Sequence, residues 1–320
     1  MNPLTGVYGA AGALRNSLFD RGVLRSHRLE WPVVSVGNLS VGGAGKTPFV
    51  IALGELLKER GIRFDVLSRG YGRKTRGVFV VDPDGNAADF GDEPLLIARR
   101  LGVPVIVGES RYEAGRLAEG KSQTQLHLLD DGFQHRSLAR DFDIVLLTAA
   151  DLDDRLLPSG RLREPMSSLA RADAIVVPEN SAAPNSLVHP EVTRFSAPGK
   201  FVWRMRREMI VSAAPGSPVV FCALARPKQF FAQVRAAGIA PAAEVEFRDH
   251  HRYDRGDIKR LLAIRDRLSA GGFLTTEKDA VNLGAAQAEL NPLVIAKLRV
   301  TLAQPTDAVN AILTNSAFAG

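Results

Sequence analysis

The stretch "PVVSVGNLSVGGAGKTPFV", Pro32 to Val50, constrains the fold of this chain more than any other. The apolar run "PVVSVG" reads as a strand, a glycine-rich segment follows, and residues from Thr47 to about Arg60 read as a helix that Gly61 ends. A strand, a glycine loop ending in Gly45-Lys46-Thr47 and a helix make up the layout of a phosphate-binding loop. Successive backbone N–H groups and a helix N-terminus there converge on phosphate oxygens. The usual pattern is G-x-x-x-x-G-K-[ST], and Ser40 stands where its first glycine belongs. Glycine matters where the backbone bends tightly or approaches the anion closely, and Gly42, Gly43 and Gly45 supply such positions. The segment Ser40, Val41, Gly42, Gly43, Ala44, Gly45, Lys46 and Thr47 is therefore expected to cradle ATP. Lys46 would reach the β- and γ-phosphates, and the Thr47 hydroxyl would hold Mg²⁺. Pro48 is tolerable because N–H groups of a first helical turn have no intrahelical acceptor. The plainer reading is a glycine-rich turn that happens to contain Lys-Thr.

The rest of the chain alternates in the same way. "FDVLS", "GVFVV", "VPVIVG", "LHLLDD", "DIVLLT" and "ADAIVVP" read as strands, and "DEPLLIARRLG" and "SRYEAGRLAEG" as helices. Short, nearly continuous apolar strands separated by helices predict a parallel sheet covered on both faces. The pattern weakens from Asn180 to Ser217, where Pro184, Pro190, Pro198, Pro215 and Pro218 punctuate it. "KFVWRMRREMIVS" alternates and predicts a strand or hairpin linking two halves. From about residue 215, "PVVFCALA", "PKQFFAQVRAAG", "DIKRLLAIRDRLSAGG" and "FLTTEKDAV" restart the rhythm as a second, smaller α/β unit.

The 320 residues suffice for two compact domains. One cysteine, Cys222, lies in an apolar run; it excludes an internal disulfide framework and makes the cytoplasm the default compartment. The formal charge of +6 suits nucleic acid, an anionic membrane surface or phosphorylated small molecules. The basic residues form no basic helix and no aromatic ladder, so no nucleic-acid partner is expected. No obligate protein partner is evident either. No stretch approaches the roughly 18 apolar residues of a membrane span, and the N-terminus does not read as a secretory signal. Leu4, Val7, Tyr8, Ala11, Leu14 and Leu18 nevertheless recur at helical spacing, ahead of Arg21, Arg25 and Arg28. Such a helix either lies in an anionic interface or packs on the domain.

A phosphate-binding loop needs an acidic partner at the end of a neighbouring strand. "LHLLDDGFQH" supplies Asp130 and Asp131, with His135 four residues on. "FGDEPLLIA" places Asp92 and Glu93 at a helix start, where Asp92 also reads as an N-cap. Transfer to a hydroxyl needs a base, and "FRDHHRY" offers Asp249, His250 and His251. Adjacent histidines on an extended segment face opposite ways, so one at most would face a site.

Together these motifs resemble the tetraacyldisaccharide 4'-kinase family, the lipid A 4'-kinases of Gram-negative bacteria. The stretches that carry the resemblance are the loop itself, "LSRGYGRK", "GDEPLLIA", "LLDDGFQHRSLARDFDIVLL", "LLPSGRLREPMSSLARAD", "FCALARPKQFF", "FRDHHRYDRGDI" and "TTEKDAV", in family order to about residue 283. The resemblance implies transfer of the ATP γ-phosphoryl group to the 4'-hydroxyl of a tetraacylated glucosamine disaccharide 1-phosphate, giving lipid IVA. It implies two α/β/α sandwich domains, the larger a P-loop core over 31–200 and the smaller over 215–320. A short β linker over 201–214 would join them, and an N-terminal helix within 1–30 would contact lipid. The protein is then expected as a peripheral enzyme at the cytoplasmic face of the inner membrane, with a lipid A disaccharide precursor as partner. The family's loop typically opens with Ser or Thr, which accounts for Ser40.

Residue by residue, the resemblance makes Asp92 the base, His250 its support, and Lys46 and Thr47 the phosphate and Mg²⁺ residues. Glu93, Asp130, Asp131 and His135 fall on polar positions near metal and phosphates. Thr47, Glu93, Asp130 and Asp131 are the expected metal set. Arg163 and Glu164 of "LREP", and Arg69, Tyr71 and Arg73 of "RGYGR", match as well, as does Asp249. Departures are Ala44 for the commoner Thr, Ala223 for Gly, and Asn282 where Lys is common. The rival from another class is a ParA/MinD-like ATPase switch, whose signature lysine would have to stand at Val41. "TTEKDAV" has no expected role beyond a helix cap formed by Thr276 and Asp279.

Overall fold

The computed structural model describes residues 3–121, 123–179 and 199–315; Pro184, Pro190 and Pro198 lie outside the described residues. Twelve strands follow in chain order: β1 (Val33–Asn38), β2 (Phe64–Ser68), β3 (Phe79–Val80), β4 (Val105–Val107), β5 (Leu126–Asp130), β6 (Phe142–Leu146), β7 (Ala174–Pro178), β8 (Phe201–Ile210), β9 (Val219–Cys222), β10 (Ala243–Glu246), β11 (Phe273–Thr276) and β12 (Leu293–Leu302). The α-helices are α1 (Pro3–Asp20), α2 (Lys46–Glu59), α3 (Ala87–Phe90), α4 (Asp92–Leu101), α5 (Arg111–Lys121), α6 (Ala149–Leu152), α7 (Pro227–Ala236), α8 (Arg255–Leu268), α9 (Glu277–Leu283) and α10 (Pro305–Asn315).

β1, β2, β4, β5, β6 and β9 are buried along their whole length, as near-continuous apolar strands covered on both faces must be. They join one sheet in the order β10-β9-β11-β12-β8-β7-β6-β1-β5-β2-β4-β3. The pairing is mostly parallel, with two exceptions. "GVFVV" yields only the two-residue β3, exposed and antiparallel to β4 at the sheet edge. "KFVWRMRREMI" is not a hairpin but the single strand β8, parallel to β7 and antiparallel to β12. That antiparallel seam, from Met205 opposite Leu302 to Ile210 opposite Lys297, joins the two halves.

The two halves keep largely separate cores. Val34, Phe49, Leu53 and Phe142 belong to one cluster, while Val219, Phe221, Val245 and Leu261 belong to another. α10 follows the second half in sequence, but Ala308, Val309 and Ile312 are buried in the cluster of Phe49 and Leu53, as are Val281 of α9 and Val300 and Leu302 of β12. The chain thus returns to the first half at its end. β1 lies between β5 and β6, so its carboxyl end is a point where the strand order reverses; open α/β sheets bind ligands at such points. β9, between β10 and β11, is the equivalent point of the second half.

α1 is the helix that the N-terminal stripe predicts. It contains no fully buried residue. Its small and polar face docks on the domain: the Thr5 hydroxyl lies 2.6 Å from that of Ser159, and Asn16 Nδ2 donates to Glu164 at 2.9 Å. Of the apolar stripe, Tyr8 donates to the Arg163 carbonyl at 3.2 Å and Leu18 is half-buried, whereas Leu4, Val7 and Leu14 are each more than 60% exposed.

Candidate active site

The loop between β1 and α2 takes its shape from its glycines and from a strap. Gly42, Gly43 and Gly45 have φ of 71°, 67° and 79°, a region unfavourable to side chains bearing a Cβ. Ser40 needs no such freedom, because it forms an antiparallel bridge with Leu162. Val41 N donates to Arg161 O at 2.8 Å, and Arg163 N donates to Leu39 O at 2.6 Å. α2 then begins on Gly45 with no side-chain cap, leaving its first N–H groups without a capping side chain. Lys46 Nζ donates to Asn38 Oδ1 at 2.9 Å and lies 3.4 Å from Asp131 Oδ1.

Asp130 ends β5 beside β1, opposite Val36. Its Oδ2 accepts from the Ser68 hydroxyl at 3.3 Å, and its Oδ1 is buried with no partner. Burial, then the charges of Glu93 and Asp131, pushes the Asp130 carboxyl up to about 7. Asp131 behaves oppositely: burial opposes its charge, but Lys46 and Arg163 outweigh that and lower its pKa. Arg163 Nη1 donates to Asp131 Oδ2 at 3.1 Å, so the "LREP" strap carries its arginine to the site. An orphaned buried carboxylate oxygen, in a cavity that Glu93 and Thr47 also line, suits a divalent cation. Mg²⁺ commonly takes one or two carboxylates plus phosphates and water, so no closed protein cage is needed.

The second carboxylate centre lies at the start of α4. Gly91, not Asp92, is the N-cap, and Asp92 is the first helical residue, almost fully buried. Its oxygens lie 2.9 and 3.2 Å from His250 Nδ1 and accept from Asn282 Nδ2 at 3.1 Å. Burial would raise the Asp92 pKa, but the hydrogen bond from His250 and the charge of Lys278 outweigh it and hold the carboxyl at about 2. Burial likewise opposes charge on His250, and its hydrogen bond to Asp92 lifts it above the ordinary histidine value. His251 faces away and pairs with Asp257 at 2.7 Å. Lys278 Nζ sits 3.3 Å from His250 Nε2, 3.5 Å from Glu93 and 3.4 Å from Asp249.

These groups surround a cavity of about 600 Å³, a size suited to a small-molecule ligand. Of the expected residues, Val41 to Thr47, Arg69, Tyr71, Glu93, Asp130, Asp131, Arg163, Asp249 and His250 line it. Ser40 and Asp92 stand behind the lining, Asp92 joined to it through His250. Three more of the expected residues do not line it. His135 is turned to the Ser137 hydroxyl at 3.0 Å, and burial together with Arg111 depresses its pKa to about 4, so it is neutral and off the cavity. Glu164 bonds Arg171 and Asn16, tying the strap to α1. Arg73 Nη2 lies 2.8 Å from Glu109 and donates to the Gly77 carbonyl, bracing the "RGYGR" turn.

Sequence reading missed Ser68, Lys278, Arg207 and Arg226, and noted Asn282 only as a departure. Thr276 does cap α9 through Asp279 N, but the same short helix delivers Lys278 and Asn282 to Asp92. A lysine between Glu277 and Asp279 was the available signal, in a segment that read only as a helix cap.

The chain matches the family model for tetraacyldisaccharide-1-P 4'-kinase over residues 1–317. It is 46% identical over 323 residues to the tetraacyldisaccharide 4'-kinase of Koribacter versatilis, covering 98% of both chains. It is 38% identical over 304 residues to that of Aquifex aeolicus, covering 88% of both. The crystal structure of Aquifex aeolicus LpxK in complex with ATP superposes with a TM-score of 0.78 at 34% identity, covering 98% of each chain. Nothing in these relatives favours a ParA/MinD-like switch, in keeping with Val41 at the position of its lysine. By sequence, by fold and by the loop at its centre, the chain belongs to the tetraacyldisaccharide-1-P 4'-kinase family.

Proposed function

We propose that this protein transfers the γ-phosphoryl group of ATP to the 4'-hydroxyl of a tetraacylated glucosamine disaccharide 1-phosphate, forming lipid IVA. The observation that carries the reading is that the Asp92–His250 pair meets the phosphate-binding loop at one cavity. Lys46 and the loop amides bind and orient the terminal phosphates, and Arg163 holds Asp131 in place beside Lys46. Thr47, Asp130 and Glu93 would hold Mg²⁺, with Asp131 in reserve. When bound, the ion neutralises charge on the phosphates. Asp92, ionised at any working pH, takes the hydroxyl proton, and His250 holds and tunes it.

A second reading is favoured by the lining: His250 faces the cavity and Asp92 does not. The proton would then go to His250 Nε2, and Asp92 would steady the imidazolium. On both readings residues 31–200 act as the nucleotide core and 215–304 as a lid-like partner hinged on β8 and β12. The exposed stripe of α1, with Arg21 and Arg25, supports a peripheral place on the cytoplasmic face of the inner membrane.

The test follows lipid IVA formation from ATP, Mg²⁺ and the acceptor. Asp92→Ala should cut kcat about 10²- to 10⁴-fold while ATP binding stays near native. Near-native turnover removes Asp92 from the chemistry. A larger loss in His250→Ala than in Asp92→Ala selects the second reading. ATP-dependent self-association without lipid product defeats the kinase reading altogether.

A further inference from the structure

Two arginines reach the phosphate-binding loop from outside it. Arg226 follows β9, at the strand-order reversal of the second half, and Arg207 lies in β8. A methyl group added at Gly43 would come within 2.8 Å of Arg226 Nε, and one at Gly45 within 2.8 Å of Arg207 Nη2. One at Gly42 would lie 3.2 Å from the Ala225 side chain. The β9–α7 turn and β8 therefore rest against the same three glycines whose left-handed backbone shapes the cradle. Both arginines line the cavity.

Their hydrogen bonding is incomplete. Arg207 Nη2 donates to the Ala44 carbonyl oxygen at the apex of the loop, but its Nε is buried with no acceptor. Arg226 Nη2 is buried with no acceptor as well. Burial, followed by the charge of Arg226, depresses the Arg207 pKa. Asp151, the acidic side chain that favours its charge, is engaged at Oδ2 by Thr148 N and Oγ at 2.7 and 2.8 Å, and its buried Oδ1 makes no hydrogen bond to either arginine. Two guanidiniums left partly unpaired in a shared cavity are costly unless an anion completes them. The planar fork of arginine suits phosphate oxygens in particular.

We infer that Arg226 and Arg207 form a clamp that closes on the polyphosphate of the nucleotide from the side opposite α2. Arg226 touches the terminal phosphates and is a catalytic residue. Arg207, anchored on Ala44, is a positioning residue that fixes the loop. The inference deepens the kinase reading and rests on it. In the transfer, the bond from the γ-phosphorus to the β,γ-bridging oxygen breaks and a bond to the 4'-oxygen forms. The hydroxyl proton passes to the Asp92–His250 pair, and ADP leaves with the bridging oxygen and its electron pair. Negative charge grows on that oxygen, where a fixed guanidinium stabilises it more in the transition state than in the ground state. Because Arg226 lies in the second half, the full charge complement assembles only when the β9–α7 turn sits on the loop. Turnover would thereby be tied to closure.

The experiment compares native protein with Arg226→Ala and Arg226→Lys. It measures kcat, acceptor KM, melting temperature, and the affinities for a non-hydrolysable ATP analogue and for adenosine. Arg226→Ala should lose about 10²-fold or more in kcat and about tenfold in analogue affinity, with adenosine binding unchanged. Added guanidinium ion should restore part of the turnover, and Arg226→Lys should be intermediate, since it keeps the charge without the fork. A kcat within about threefold of native, with analogue affinity unchanged, overturns the clamp. So does unchanged analogue affinity with a raised acceptor KM, which would assign the arginine to the acceptor's own phosphate. A lower melting temperature with no guanidinium rescue overturns it too, as a packing effect. If native protein makes no lipid product, the kinase reading fails, and the analogue-against-adenosine comparison still decides whether the arginine binds phosphate.

Discussion

Lys278 is the residue on which one corner of the cavity depends. Its ammonium lies 3.7 Å from Asp92, 3.5 Å from Glu93 and 3.4 Å from Asp249, three carboxylates that would otherwise repel. Burial works against its charge, and Glu93 and then Asp92 outweigh that, so its pKa is raised and it stays protonated. Lys278→Met would remove a contact that lowers the Asp92 pKa, and Asp92 would need a higher pH to ionise. The acid limb of kcat/KM should therefore move to higher pH, as a pH–rate profile of the variant would reveal; an unmoved limb separates Lys278 from the base. The Asp92 contribution to folding follows the same sign: it is full above the unfolded value of 3.8 and is lost as pH falls towards about 2. Lys46 and Thr47 were legible because strand, glycine loop and helix fix their places within a few residues, and Asp130 because it ends a continuous apolar strand. Lys278 and Asn282 were not, because their partners at Glu93 and Asp92 lie 185 and 190 residues away in sequence. His135, Glu164 and Arg73 lie off the cavity for one shared reason. A polar residue in a motif can equally brace the motif, and only its neighbours decide.

Among the elements, β2 and β5 show what continuous apolar reading overlooks. Asp65 and His127 are paired across these strands, fully buried, with Nδ1 2.9 Å from Oδ1, and Glu119 lies 3.6 Å from Nε2. Desolvation alone would lower the His127 pKa; the hydrogen bond to Asp65 overcomes it and raises the value. The stabilisation is thus full below 6.5 and is lost as pH climbs past the raised value. His127→Ala should cost about 3–5 kcal/mol, because it strands a buried carboxylate. Urea unfolding of native and variant proteins at acidic and alkaline pH reads both effects: the gap should narrow in alkali, and a constant gap refutes the pair. "FDVLS" and "LHLLDD" still gave strands, since β-branched and leucine neighbours outweigh one polar position. The antiparallel seam between β8 and β12 had no such signal. Alternating burial along β8 fits either strand direction, and its partner lies far along the chain.

At the scale of the molecule, a +6 chain carries an apolar stripe on α1 that is exposed at Leu4, Val7 and Leu14. If that stripe meets lipid, replacing Leu4, Val7 and Leu14 with Ser should weaken sedimentation with anionic vesicles by about tenfold or more, given roughly 1.5–3 kcal/mol for each fully buried side chain. Neutral vesicles should bind native protein less well than anionic ones, and equal binding of native and triple-substituted protein refutes the contact. The continuous sheet has a different consequence. Scission of the polypeptide near residue 215 would strip β8 of its ten-residue neighbour β12 and α2 of the helix α10 that covers it. Each fragment would expose a long row of unsatisfied amides and carbonyls, so separately expressed pieces should clump rather than behave as autonomous modules.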